Sequence, residues 1–484
     1  TLNAMLATYD PHSNYYPPID AIELNRQTTL QLEGIGVSIR PERGNEDYTK
    51  IETIVEGGPA SKSGQVKSGD RIVGVAQEGG KMIDVVGWSS SEIVGLIRGK
   101  RGTKVTLKLL GAGASMSQAR NVTLVRDVIQ EEDAGVRSRT VEVTRDGKKH
   151  LLGVIEIPSF YFDYRSRRAG QQYRSVSEDT ANAFEALKAK KVEGIIIDLR
   201  NDPGGSLEEV ARMLGQVIKS GPVVQIRDGN GNVSVFEDND GGQQIYTGPL
   251  AVLVNLASAS ASEIYSAAIQ DYERGIIIGS TTTGKGTAQV QLDTLAYGQA
   301  TLTQRKFYRV TGGSTQNKGV VPDIKLVDIY NEEFGERKSK NALKWDTIPT
   351  APFKREGSVQ PYVAKLSQLS EQRVAVDPQF KYLNKRTAIA KVTSDQKQVV
   401  LDIDKRRAEL LSLEKQTLDA ENERRVATGQ KPFANWESYQ ASLDALAESR
   451  AKMKANQRPA LPEEETFVNE AANVLMDYAK LQNR

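Results

Sequence analysis

Three short motifs in this sequence combine residue types that can perform chemistry, and each follows an apolar run of strand length. They read DLRNDPGGS (Asp198–Ser206), NLASASASEI (Asn255–Ile264) and GSTTTGKGTAQ (Gly279–Gln289). Folds that alternate strands and helices place their functional groups at the carboxyl ends of the strands. We therefore predict a functional site built from these three motifs.

Ser260 lies where a buried strand is predicted to turn into a helix, so we expect its hydroxyl to be exposed at the edge of the sheet. The N–H of Ala261 points into the same space, and a helix N-terminus favours a developing oxyanion. The turn at Gly204 and Gly205 brings a second N–H close, because glycine allows close backbone approach. The pattern is typical of a serine nucleophile. The alternative is packing of small residues at a helix N-terminus.

Lys285, between Gly284 and Gly286, is the candidate general base. A lysine can take a proton only when neutral, so its pKa must fall from about 10.4 toward about 7–8, which burial beside apolar walls achieves. The sequence has only two histidines, His12 and His150. A Ser–His–Asp triad would therefore have to use one of these two.

The segment around Lys285 has two other interpretations. One is a surface turn. The other is a phosphate-binding loop, because Gly279, Gly284 and Lys285 have the spacing of that motif. Such a loop needs Ser or Thr directly after the lysine and then a helix. Gly286 stands in that position, and the sequence after it alternates like a strand, so nucleotide binding is disfavoured.

Composition limits the classes of protein further. The 484 residues, 38% hydrophobic and 26% charged, indicate several globular domains, and no apolar run approaches the roughly 18–20 residues that span a bilayer. A net charge of +2 argues against a nucleic-acid binder. The absence of cysteine and the scarcity of histidine disfavour a metal site, so we expect no metal and no cofactor. Because the chain starts at Thr1 rather than Met, we expect a fragment or a processed form.

The order of predicted elements indicates a multidomain α/β protein. Glycine-separated alternations after about Thr28 indicate short strands, with one helix, SSSEIVGLIRG, among them. After about Ala134, strands alternate with helices, which is typical of crossovers over a largely parallel sheet. The end of the chain is charged and helical. The predicted regions are an entry segment (1–27), a β-rich domain (28–128), an α/β core (129–330) and a helical domain (331–484).

Together these motifs resemble the C-terminal processing peptidases, or tail-specific proteases. The resemblance rests on GIG, DLRNDPGG, SASASEI and GKGTAQ in this order, and on KFYRVTGGSTQNKGVVPDI, which is similar to the last sheet strands of that family. It implies a protease core in which Ser260 is the nucleophile, Lys285 the general base and Gln289 the residue that orients the lysine. It also implies an oxyanion hole formed by Gly205 and Ala261.

The resemblance extends to residues around this dyad. The positions that match supporting positions of the family are Glu263, Asp271 and Thr282. One departure is that Ser280–Thr283 stand where the family usually has Glu-Pro-Thr-Phe.

By the same resemblance, residues 28–128 form a PDZ domain. Successive N–H groups of GIGV can hold a terminal carboxylate, and the following strand can pair with an extended peptide beside the EIVGLI helix. The alternative is an ordinary glycine-containing turn. The expected tail-binding residues are Leu32, Gly34, Ile35, Gly36, Val37, Ile93 and Ile97.

These observations predict a serine endopeptidase that selects proteins or partly unfolded chains by apolar C-terminal tails. The alternative is a non-catalytic PDZ scaffold. The helical tail, with SKNALKWDTI, resembles the larger periplasmic members from Gram-negative bacteria, which carry an N-terminal helical domain of which 1–27 would be the end. We therefore expect a periplasmic location and a lipoprotein adaptor as a further partner. Helices within 404–484 could dock a partner or wall a cavity, but their charge pattern favours a solvated face.

Overall fold

The structure is a computed structural model, and it divides into two compact units. It describes residues 2–482 except 19, 22–23, 25–30, 43–44, 112, 131–134, 146, 169, 171–172, 238–243, 293–294, 331–334, 452 and 454–458. The smaller unit is Pro17–Glu132, and the larger one combines Thr1–Tyr16 with Asp133–Arg484. The larger unit begins with helix α1 (Leu2–Leu6) and strand β1 (Asn14–Tyr16).

The smaller unit is a β-rich fold with helices at its edges. Its strands are β2 (Gln31–Gly34), β3 (Val37–Glu42), β4 (Asn45–Ile54), β5 (Arg71–Gln77), β6 (Ile83–Asp84), β7 (Lys104–Leu110), β8 (Arg120–Val125) and β9 (Asp127–Gln130). The helices with printed bounds among its described residues are α2 (Pro59–Ser63) and α3 (Ser90–Ile97). The sheet order is β3-β4-β5-β7-β8, with β6 on β5, and β2 pairs with β9.

Helix α3 is held at both ends. Ser89 and Glu92 form a reciprocal capping box at its start, which satisfies N–H groups that have no partner within a helix. At its end the buried guanidinium of Arg126 donates hydrogen bonds to the carbonyls of Leu96 and Ile97. The helix that was predicted to line the tail-binding groove is therefore fixed in place by side chains of its own unit.

The larger unit contains two sheets. Its strands are β10 (Arg137–Arg145), β11 (Lys148–Glu156), β12 (Ile195–Asp198), β13 (Pro222–Asp228), β14 (Val233–Glu237), β15 (Leu250–Val254), β16 (Ile276–Gly279), β17 (Thr287–Leu292), β18 (Gln299–Tyr308) and β19 (Ile324–Lys325). Its helices up to residue 271 are α4 (Tyr164–Arg168), α5 (Val176–Ala189), α6 (Leu207–Gly215) and α7 (Ala261–Asp271).

The first sheet has the order β10-β11-β12-β15-β16-β19, and every pair after β10–β11 is parallel. Strands β12, β15 and β16 are buried along their whole length, which explains their unbroken runs of Ile, Leu, Val and Ala. The second sheet has the order β1-β18-β13-β14, with β17 on the side of β18. The segment after Lys285 is thus a strand, as its alternation predicted, rather than the helix of a phosphate-binding loop.

Among the residues that the structure describes after the second sheet, five segments are α-helical. They are α8 (Gln360–Val376), α9 (Pro378–Asp395), α10 (Ile403–Ala427), α11 (Trp436–Ala451) and α12 (Pro462–Gln482). No helix among the described residues is long and apolar enough to cross a membrane.

The expectation of a solvated face within 404–484 suits α10, where Leu410 and Leu411 are exposed, but is wrong for α12. Phe467, Val468 and Leu475 of α12 are buried in one cluster with residues of the first sheet. Three glutamates in the first turn of α12 make its apolar stripe hard to recognise from the sequence.

Candidate active site

Ser260 occupies a sharp turn between a buried strand and a helix. Strand β15 ends at Val254, and helix α7 begins directly after Ser260. Ser260 has φ +54° and ψ −108°, an unfavourable backbone conformation for a residue with a Cβ. Gly204 allows the turn: a Cβ on this residue would lie 2.8 Å from the Cβ of Ser260 and 2.9 Å from the nitrogen of Ala261. The second motif is therefore packed directly on the first.

The three serines of SASAS differ in their surroundings. Ser258 and Ser262 are completely buried, and their hydroxyls donate to the carbonyls of Leu199 (2.8 Å) and Asp202 (3.0 Å). Ser260 is only partly buried. A hydroxyl that already serves the fold is a poor nucleophile, so Ser260 is the candidate that this geometry favours.

Asp202, which sequence reasoning missed as a functional residue, supports both sides of the turn. Its carboxylate accepts a hydrogen bond from the N–H of Gly204 at 2.7 Å. Its backbone carbonyl accepts from the N–H of Ala259 and from the hydroxyl of Ser262. Complete burial raises the pKa of Asp202 well above its usual value. Its position beside the Pro-Gly-Gly turn was the only sequence signal that could have identified it.

The two N–H groups expected to bind an oxyanion lie at this junction. Gly205 has φ +148°, and a Cβ there would lie 2.3 Å from the carbonyl oxygen of Phe160, so only glycine fits. In the part of the chain that the structure describes, neither Gly205 nor Ala261 donates its N–H to a protein acceptor. Both donors are therefore available to a ligand.

Glu263 ties the serine to the lysine. One of its carboxylate oxygens accepts from the N–H of Ser260 and from the N–H of Lys285, both at 2.9 Å. The other accepts from the Thr282 hydroxyl at 2.5 Å and the Gly284 N–H at 2.7 Å. Burial raises the pKa of Glu263 to about 7, and these hydrogen bonds oppose that rise. A single buried carboxyl group thus sets the spacing of the two backbone segments.

The threonine-rich segment before Lys285 is bound by its own hydroxyls. Ser280 donates to the carboxylate of Asp328, and Thr283 donates to the carbonyl of Leu256 at 2.7 Å. Thr282 also accepts from the N–H of Val320 at 2.7 Å. The polar replacements in this segment are therefore matched by local partners.

Lys285, which follows this segment, is partly buried. Removal from water lowers the pKa of Lys285 below its usual value, while the negative charges of Glu336, Glu263 and Asp10 oppose the decrease. A lowered pKa is what a lysine base requires. Among the described residues, no hydrogen bond joins the Lys285 ammonium group to the Ser260 hydroxyl.

Gln289, on strand β17, is fixed by two threonines. Its Nε2 atom donates to the hydroxyls of Thr287 and Thr303, each at 3.0 Å. Within the described part of the chain, the carbonyl oxygen of this amide accepts no hydrogen bond.

Not every predicted residue lies near Ser260. Asp271 is at the far end of α7, about 15 Å along an 11-residue helix, and it forms an ion pair with Arg309. His12 and His150 instead face Glu336 and Glu193, at 2.7 and 2.8 Å.

The predicted tail-binding residues lie in the smaller unit. Ile35, Ile93 and Ile97 are buried in its core, and Val37 packs against them. Gly36 has φ +75°, and no N–H of Ile35 or Gly36 donates a hydrogen bond within the described residues. Gly34 is buried at the end of β2. The side chain of Leu32 lies outside the described residues, although its backbone pairs with Ile129.

Three family models match successive parts of the chain. The model for a PDZ domain matches residues 23–110, and the model for peptidase family S41 matches residues 151–326. The model for the C-terminal domain of tail-specific protease matches residues 329–480. The predicted fold class, a PDZ domain followed by an α/β peptidase core and C-terminal helices, is confirmed.

Whole-chain comparisons agree. The chain is similar to a tail-specific protease of Haemophilus influenzae, with 40% identity over 92% of this chain and 62% of the relative. It is also similar to the carboxy-terminal processing protease CtpA of Bacillus subtilis, with 31% identity over 65% of this chain and 60% of the relative. The chain therefore spans about three fifths of the length of these two relatives.

A solved structure matches the smaller unit in sequence. It is the PDZ domain of a carboxy-terminal protease from Vibrio cholerae in complex with peptide, with 46% identity over 20% of this chain and 97% of that domain, and a TM-score of 0.19. The chain is thus similar to peptidase family S41 over residues 151–326, and the matched C-terminal domain and the 40% identity to the Haemophilus protein make it similar to the tail-specific proteases.

Proposed function

We propose that this chain is a serine endopeptidase with Ser260 as nucleophile and Lys285 as general base. The observation that carries this proposal is the position of Ser260 on a strained turn, with Lys285 held across from it by Glu263. Strain at a non-glycine residue is retained where function requires it. The lowered pKa of Lys285 supports its role as a base.

The reaction follows from these positions. Neutral Lys285 takes the proton as the Ser260 oxygen attacks the peptide carbonyl, and the N–H groups of Gly205 and Ala261 bind the resulting oxyanion. The ammonium group then protonates the leaving amine, and the peptide bond breaks to leave an acyl-enzyme. Water hydrolyses that ester with Lys285 again as base. The side chains of Ser260 and Lys285 must rotate into hydrogen-bond reach for the first step.

We infer that the smaller unit selects substrates by their C-terminal tails. The free N–H groups at Ile35 and Gly36 suit a terminal carboxylate, and the apolar cluster beside them suits an apolar last residue. The proposed substrates are proteins with apolar C-termini, in the periplasm of a Gram-negative bacterium, with a lipoprotein adaptor as a further partner. The proposed domain boundaries remain 28–128, 129–330 and 331–484.

Labelling with a fluorophosphonate tests the chemistry. The reagent should modify Ser260 in the parent, and peptide mapping identifies the labelled serine directly. Ser260→Ala should abolish both labelling and peptide hydrolysis while leaving the melting temperature unchanged, because only one partly buried hydroxyl is removed. Labelling of Ser258, or hydrolysis by Ser260→Ala, would refute the assignment. Tail binding without any hydrolysis by the parent would favour the scaffold alternative.

A further inference from the structure

The N-terminal segment of the larger unit lies against the strand that carries Thr303. Strand β1 pairs with β18 in an antiparallel register in which Asn14 faces Thr301. The Ser13 hydroxyl accepts from the N–H of Thr303 at 3.1 Å. The hydroxyl of Thr301 donates to the carbonyl of His12 at 3.2 Å. The segment therefore lies against the part of β18 whose Thr303 contacts Gln289.

Asp10 is the polar centre of this segment. It is 1% exposed, and one carboxylate oxygen accepts from the N–H of Ser13 at 2.9 Å. The other carboxylate oxygen receives the Thr303 hydroxyl at 2.5 Å. An ionised carboxylate can only accept hydrogen bonds, so Thr303 must be the donor in this contact.

The direction of the hydrogen bond from Thr303 to Asp10 determines the orientation of the Gln289 amide. Since the Thr303 proton is committed to Asp10, the Thr303 oxygen must accept, and it accepts from Nε2 of Gln289 at 3.0 Å. The second N–H of that amide is used by the Thr287 hydroxyl at 3.0 Å. Only the carbonyl oxygen of Gln289 is left, and it can accept but not donate.

We propose that Asp10 is a positioning residue of the active site, which acts through Thr303 to present the carbonyl oxygen of Gln289 to the ammonium form of Lys285. The proposal rests on the function proposed above. A carbonyl acceptor stabilises Lys285 after it has taken the Ser260 proton, which is when charge develops there. An amide turned the other way would present N–H groups to a cation.

Asp10 also contributes charge to the lysine. The carboxylates that oppose the decrease in the pKa of Lys285 are Glu336, Glu263 and Asp10. Glu336 is paired with His12 of the same segment and also accepts from Gln316 at 2.8 Å. The N-terminal segment therefore contributes Asp10, which is one of these three carboxylates. It also contributes His12, the ion-pair partner of Glu336.

Asp10→Asn tests both effects, because its amide can donate to Thr303 and reverse the hydrogen-bond direction. We expect kcat to fall about tenfold, the effect of losing one charge-assisted hydrogen bond, while KM changes less than about twofold. The acidic limb of the pH–kcat profile should move to lower pH, because a negative charge that stabilises the ammonium form is gone.

Two further variants separate the direction of hydrogen bonding from charge and from folding. Thr303→Val breaks the contact with Gln289 but retains the carboxylate, so kcat should fall similarly while the acidic limb moves less far than in Asp10→Asn, because only the acceptor and not the negative charge is lost. Asn3→Ala removes two hydrogen bonds between the segment and Tyr15 and leaves Asp10 intact. Its kcat and its pH profile should match the parent.

If turnover becomes too slow to follow, the rate at which fluorophosphonate labels Ser260 can be measured against pH instead. This rate should show the same acidic limb as kcat. An unmoved limb in Asp10→Asn, or a loss of activity that follows only a loss of thermal stability, would overturn the proposal. Failure of Ser260→Ala to abolish hydrolysis is a separate result, because it refutes the proposed nucleophile rather than the role of Asp10.

Discussion

At the scale of single residues, the geometry of Ser260 depends on the absence of a side chain at Gly204. We predict that Gly204→Ala will reduce kcat at least about a hundredfold, the effect of displacing a nucleophile or one oxyanion donor. The added methyl group would lie 2.8 Å from the Cβ of Ser260. Steady-state kinetics checks this, with Gly229→Ala as the control because a Cβ there contacts nothing. Near-parent activity in Gly204→Ala would show that the turn can relax.

Lys285 gives a prediction about pH. Its folded-state pKa is lowered, so between that value and the usual 10.5 the unfolded chain binds more protons than the folded one. The stability contributed at this position therefore rises with pH through that window. Lys285→Ala should be inactive but at least as stable as the parent at neutral pH, and Lys285→Arg should be inactive because guanidinium stays charged. Hydrolysis assays and thermal melts at several pH values check this. Activity in the arginine variant would contradict the role of a base.

The stability that Glu263 contributes should change with pH in the opposite direction to that of Lys285. The pKa of Glu263 is raised to about 7 by burial, so the stability that this residue contributes is present at low pH and is lost as the pH rises through about 7. Glu263→Gln places an amide N–H against backbone donors and should cost about 1–3 kcal/mol of unfolding free energy. Denaturant unfolding at pH 5 and pH 8 measures this, with the exposed Glu185→Gln as control. The difference from the parent should be smaller at pH 8.

Ser260 and Lys285 could be proposed from the sequence because each lies in a motif at a strand end whose residue types carry the chemistry. The contacts of Asp10 and Asp202 could not be predicted in the same way. Asp10 meets Thr303 across 293 positions of the chain, and local periodicity contains no information about such a pair. Asp202 acts partly through its backbone carbonyl, which any residue type would supply.

At the scale of elements, the loop before β3 should discriminate between forms of the substrate terminus. We predict that amidating the C-terminus of an apolar-tailed protein substrate will slow its cleavage about tenfold or more, since the N–H groups at Ile35 and Gly36 lose a charged acceptor. Cleavage of short peptides that reach Ser260 directly should not change. Equal cleavage of amidated and free-acid proteins would remove tail recognition from this account.

Prediction of the elements depended on how they are buried. Strands β12, β15 and β16 were recognisable because both faces are covered, so their apolar runs are uninterrupted. Helix α12 was harder to interpret because three glutamates form its first turn. The apolar stripe that follows them packs on the sheet, and only the tertiary structure reveals which surface it covers.

At the scale of the whole molecule, the C-terminal helices and the peptidase sheet share one core. Leu475 of α12 is 1% exposed and lies so close to Gly194 that a Cβ there would be 2.8 Å from it. We predict that Leu475→Ala will cost about 2–5 kcal/mol of unfolding free energy. The exposed Leu411→Ala should change it by less than about 0.5 kcal/mol. Denaturant titration measures both variants, and a small effect at Leu475 would mean that α12 is dispensable.

The pairing of β1 with β18 has a consequence for synthesis on the ribosome. The chain is made from its N-terminus, so Asp10 leaves the exit tunnel before Thr303, its hydrogen-bond partner 293 positions later in the sequence. Ser260 and Lys285 are made before that partner. The contact between Asp10 and Thr303 cannot form until β18 has been made, so β1 can join its sheet only late in synthesis.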